Sequence, residues 1–114
     1  MARREDPIQN LETIDLVGQR TDDGGVDLVI VVSDVLTESE HHQGLLLEKL
    51  ENYLRQINSP AFRADRGEPS PDRVRIIVHC ARPPAPAIRQ LLQNAMAWVE
   101  ENNASLALRV ETPR

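Results

Sequence analysis

The residue pattern predicts an α+β fold: a two-layer sandwich in the order ββαβαβ, with a four-stranded mixed sheet and two helices on one face. Three observations lead there. Four short runs are β-branched or alternate apolar with polar residues, and two longer stretches repeat apolar residues at helical spacing. Each helix also carries a single apolar stripe, so the economical packing puts both on the same side of the sheet. At 114 residues the chain has the size of one domain. Residues 12–111 read as that domain. Residues 1–11 are polar, contain Pro7 and keep no sustained period, and read as a poorly ordered lead.

Thr13 to Gln19 alternates, with Ile14 and Leu16 on one side and Asp15, Val17 and Gln19 on the other, which predicts a half-buried strand. Asp22-Asp23-Gly24-Gly25 supplies turn chemistry, because glycine accepts positive φ without steric cost. Val26 to Ser33 is almost wholly apolar and suits an interior strand. Thr37-Glu38-Ser39-Glu40 has the form of a capping box and opens the first helix. In that helix Leu46, Leu47, Leu50, Tyr53, Leu54 and Ile57 form the stripe, opposite Glu48, Glu51, Asn52 and Arg55.

Asn58-Ser59-Pro60 ends the helix. Residues 59–72, with Pro69 and Pro71, read as a long polar connection, a length that is either functional or disordered. Arg73 to Cys80 sets Val74, Ile76, Val78 and Cys80 against Arg75, Ile77 and His79. Pro86 suits the first turn of a second helix striped by Ile88, Leu91, Leu92, Ala95, Trp98 and Val99, and Asn102-Asn103 stops it. Ser105 to Val110 is the last strand.

The composition excludes several classes of function. A net charge of −5 with only Phe62, Tyr53 and Trp98 as aromatics offers neither a phosphate-neutralising surplus nor a base-stacking set, so no nucleic-acid partner is expected. No apolar run approaches the roughly 20 residues of a membrane helix. The start, Met-Ala-Arg-Arg-Glu-Asp-Pro, lacks the apolar stretch of a secretory signal. The lone Cys80 fits a reducing compartment, hence a cytoplasmic location. It alternates with core residues, which predicts a buried, inert thiol. Gly24-Gly25 is too short to cradle phosphate, and no cofactor is implied.

Ile14-Asp15-Leu16-Val17, Asp27-Leu28-Val29-Ile30 through Ser33-Asp34, and His42-x-x-Leu45-Leu46-Leu47-Glu48-Lys49 with Tyr53-Leu54 resemble a family of small bacterial domains of unknown function. The resemblance is strongest over the strand hairpin and first helix. It implies a cytoplasmic bacterial domain with no assigned activity, and it assigns no catalytic residue. The connection around Pro69 and Pro71 is longer than that family's usual link.

Two readings of function follow from the residues. On the face away from the helices, Val17, Val29, Val31 and Ile77 would form an apolar centre, with Arg75, His79 and Arg109 among the residues of its polar rim. That is the pattern of a non-enzymatic interaction module contacting a protein partner or, as a homodimer, itself. The competing expectation is that the N-terminal lead or the 59–72 connection covers this face. The alternative function is a small metal-binding protein or hydrolase at the junction of the second strand and first helix. There Glu38 and His42 share a helix face and Asp34 ends the strand, but the ligand set is incomplete and no nucleophile motif surrounds Ser33 or Ser39. Arg82-Pro83-Pro84-Ala85-Pro86 could be offered as a polyproline ligand, although ending a strand and starting a helix already accounts for its prolines.

Overall fold

The computed structural model describes residues 6–20, 22 and 24–111. Its strands are β1 (Leu16–Gln19), β2 (Val26–Val32), β3 (Val74–Cys80) and β4 (Ser105–Val110), and its helices are α1 (Glu40–Ile57), α2 (Pro60–Arg66) and α3 (Pro86–Glu101). The sheet has the order β1-β2-β3-β4. β1 is antiparallel to β2, and β2, β3 and β4 run parallel. The expected four-stranded mixed sheet and α+β class hold. The order gains one helix, becoming ββααβαβ.

Period-two alternation puts Val26, Leu28, Ile30 and Val32 of β2, Val74, Ile76, Val78 and Cys80 of β3, and Leu106 of β4 on one face. All are buried in one core with Leu46, Leu50, Tyr53, Leu54 and Ile57 of α1 and Ile88, Leu92, Ala95 and Val99 of α3. The stripe on α1 differs from the expected one at three positions. Leu47 is exposed, whereas Leu45 is buried and Lys49 is fully buried within the apolar face.

Helix α1 opens two residues later than the capping-box reading. Ser39 is its N-cap, and its hydroxyl accepts from the His42 N–H at 3.1 Å. Thr37 instead donates its N–H to His42 Nδ1 at 2.9 Å. The connection read as irregular contains α2. Ser59 caps it by accepting from the Phe62 N–H, Pro60 occupies its first turn and Gly67 ends it with φ 84°. Phe62 packs against the core on the helix side. The stop expected at Asn102-Asn103 is present, and it ties two helix ends together. Asn58 donates to the carbonyls of Leu54 and Asn102, and Asn103 donates to Asn58 Oδ1 at 2.6 Å.

The expected poorly ordered lead is corrected over residues 6–11, which are docked, with Ile8 and Leu11 in the core. The cause is a row of polar groups on α1 that take backbone carbonyls. Lys49 Nζ donates to Gln9 O at 2.8 Å, Asn10 O at 2.7 Å and Asp15 Oδ1 at 2.9 Å. Asn52 holds Leu11 O and Gln56 holds Glu12 O. Asn10 turns the segment with φ 50°, a left-handed conformation that asparagine tolerates. His41 adds a contact to the buried Asp6 at 3.0 Å. Residues 1–5 of the lead and Asp23 of the first turn lie outside the described residues.

Two predictions follow from this packing. Lys49→Met strands two carbonyls and a carboxylate and is expected to cost about 3 kcal/mol, the loss typical of breaking a buried ion pair from one side. Chemical denaturation measures it, and adding Asp15→Asn should recover part of the loss; a single variant as stable as the parent would contradict this account of the docked segment. Cys80 is fully buried, and burial raises its thiol pKa to about 11. A thiol reagent at mildly alkaline pH should therefore leave the native protein unmodified over minutes and react at once in denaturant.

Candidate functional site

The register defines the face that the helices leave open. Directly paired residues point to the same side of a sheet, so three rows cross it. Leu16, Val29, Ile77 and Ala107 form the middle row. Gly18, Asp27, Arg75 and Ser105 flank it on one side, and Val31, His79 and Arg109 on the other. The buried side chains of α1 and α3, with Phe62 of α2, belong to the core on the opposite face. The 59–72 connection therefore sends its helix to the helix side.

Of the expected surface residues, Val29, Val31, Arg75, Ile77, His79 and Arg109 are brought together on this face. Val17 is not. It pairs with Leu28 and points to the helix side, while Leu16 pairs with Val29 and takes the place expected of Val17. The reversal has a local cause. Regular pairing stops at Leu16 because the Tyr53 hydroxyl enters the gap between the strands, accepting from the Asp15 N–H at 2.8 Å and donating to Val29 O at 2.6 Å. Burial raises the Tyr53 pKa well above that of a free phenol, which keeps the hydroxyl a donor. The alternation read through Ile14 and Asp15 thus crosses a break in the ladder.

Ile77 is also corrected as a contact residue, since it is only 2 % exposed and sits closed in the middle of the sheet. The accessible apolar strip lies off-centre, formed by Leu16 at 57 % exposure, the partly buried Val29, and Val31 at 37 %. A shallow cleft lined by Pro7, Ile14, Val31 and Ser33 borders this strip. The N-terminal segment therefore flanks the face at one corner and does not cover it.

The rim is organised by ion pairs. Asp27 receives two bonds from Arg75, at 3.1 and 2.9 Å, and one from Arg20 at 2.8 Å. Burial acts to raise the Asp27 pKa, but the Arg75 and Arg20 guanidinium groups outweigh it and hold the carboxyl below its ordinary value. Arg20 also reaches the carbonyls of Asp72 and Arg73 and lies directly over Gly25, where any Cβ would collide with it. At the other end His79 meets Glu111 at 3.2 Å, and Arg109 is exposed. Arg20, Leu16 and Asp27 are members of this surface that the sequence reading missed. The hairpin pairing, which alternation alone does not specify, places the first two, and the register of β2 against β3 sets Asp27 beside Arg75.

The alternative site does not assemble. Asp34 Oδ1 accepts from the next N–H, that of Val35, and His42 Nδ1 accepts from Thr37. The Glu38 carbonyl takes Gln43 Nε2. Among the described residues no three His, Cys, Asp or Glu side chains converge as metal ligands. The proline run is likewise pinned, with Pro84 buried and the Ala85 N–H bonded to Leu36 O at 2.9 Å. Among the described residues no helix is long and apolar enough to cross a membrane.

No curated protein and no solved structure matches the chain. A model described as a family of unknown function (DUF6572) matches residues 7–112, from the docked N-terminal segment through β4, and the chain belongs to that family.

Proposed function

We propose that the protein is a non-enzymatic, cytoplasmic interaction module that meets a protein surface, in the simplest case a second copy, through its open sheet face. The observation that carries this reading is the apolar strip of exposed Leu16 and Val31 with the partly buried Val29 between them, beside a rim of Arg75, His79 and Arg109. Apolar side chains flanked by charged ones form the core-and-rim pattern of a contact surface. The Asp27 network favours the same use, because side chains already held by ion pairs lose little further freedom on binding. A single, fully buried cysteine accords with a reducing compartment. Belonging to a family without an assigned activity leaves the site itself as the basis for function.

Val31→Glu tests the reading. The substitution is expected to halve the molar mass in solution while leaving thermal stability within a few degrees, since a charge at a buried contact is costly and the same charge on a free surface is not. A parent and variant of identical mass and equal stability would remove self-association through this face.

A further inference from the structure

The sheet ends in the four-residue β1 on one side and the six-residue β4 on the other. Past the end of β1, the side of β2 that it leaves free is closed by the docked segment. The Val31 N–H donates to Asp15 Oδ2 at 2.9 Å, the Ser33 N–H donates to Pro7 O at 2.9 Å, and Tyr53 takes Val29 O. On the other side β4 is the last strand, and no described residue pairs with its outer side. Because the Glu111 N–H donates inward to Cys80 O, alternation aims the N–H and C=O groups of Leu106, Leu108 and Val110 outward. β4 has no proline, and its one charge, Arg109, lies on the open face rather than in the plane of the edge. Beside it runs a groove where Leu92 and Met96 of α3 meet Leu106 and Leu108, with Arg89 and Gln93 also lining it. Met96 is 46 % exposed there.

We infer that β4 pairs antiparallel with β4 of a second copy, about a two-fold axis at Leu108, joining two sheets into one of eight strands. This register is self-complementary. Leu108 meets its own counterpart and Leu106 meets Val110, so every outward N–H and C=O of the three residues finds a partner. Leu106, Leu108 and Val110 of both copies then form one apolar ridge between the two Met96 side chains. On the open face Arg109 falls opposite Ala107 and Glu111 opposite Ser105, so no like charges meet. Sliding the pairing by one residue at the axis would set Arg109 against Arg109, which is destabilising. The join adds strands by main-chain hydrogen bonding, with side-chain fit in the flanking groove.

This contact is independent of the open face. Its axis stands perpendicular to the sheet, whereas an axis relating two stacked faces lies parallel to it, so both contacts can close together on four copies. Molar mass by light scattering across a concentration series tests it on the full chain of 12.8 kDa. Leu108→Pro deletes the central outward N–H without touching the β3 ladder, and Met96→Glu charges the groove. Each is expected to halve the parent's mass with unchanged circular dichroism, and if Leu108→Pro unfolds, Met96→Glu decides. Folded variants that keep the parent mass, or a parent monomeric at every concentration, would overturn the inference. If Val31→Glu alone halves the mass, the edge contact falls and the open-face reading stands. If only the edge variants do so, the edge contact stands and self-association through the face falls.

Discussion

A buried ammonium group organises one side of this molecule. Lys49 is the chain's only lysine and is fully buried on the apolar face of α1. An isolated charge in that position would be prohibitively costly, so the structure around it has to supply acceptors. It supplies three, matching the three N–H donors of an ammonium group. Two are main-chain carbonyls of a segment that would otherwise have little reason to order, and the third is a carboxylate whose second oxygen holds the β2 edge. The ammonium also lies 5.6 Å from the centre of the Tyr53 ring, a further favourable contact. One side chain thereby links α1, the N-terminal segment and the end of β1.

The consequences reach the surfaces that could meet partners. Because Asp15 and Tyr53 occupy the gap beside β2, β1 pairs with only the first part of that strand, and Leu16 rather than Val17 reaches the open face. Because the segment then runs past Val31 to Ser33, that edge has few main-chain groups left to offer. β4 has no comparable cover among the described residues. The sheet therefore ends in the short β1, past whose end the docked segment closes β2, and in the longer β4, with one open face between them.

The sequence by itself determined the strands, two of the three helices and, for every one of these except β1, the face presented to the core. These follow from periodicities of two and 3.6 residues, which are properties of local backbone geometry. The burial of Cys80 was legible for the same reason. The third helix was legible in principle, since Ser59-Pro60 is a cap followed by a first-turn proline and Gly67 is a suitable stop, but the prolines farther along suggested an irregular connection. Lys49 also left a trace, a cation standing among Leu46, Leu50 and Tyr53 on the apolar side. Its partners left none. They are carbonyls of residues 39 and 40 positions away, and every residue type carries the same carbonyl. Whether Leu16 or Val17 reaches the open face, how deeply Ile77 is buried, and how far the docked segment closes β2 past the end of β1 were decided only by tertiary structure, because each depends on main-chain groups meeting across the fold and not on the side chains that give a sequence its pattern.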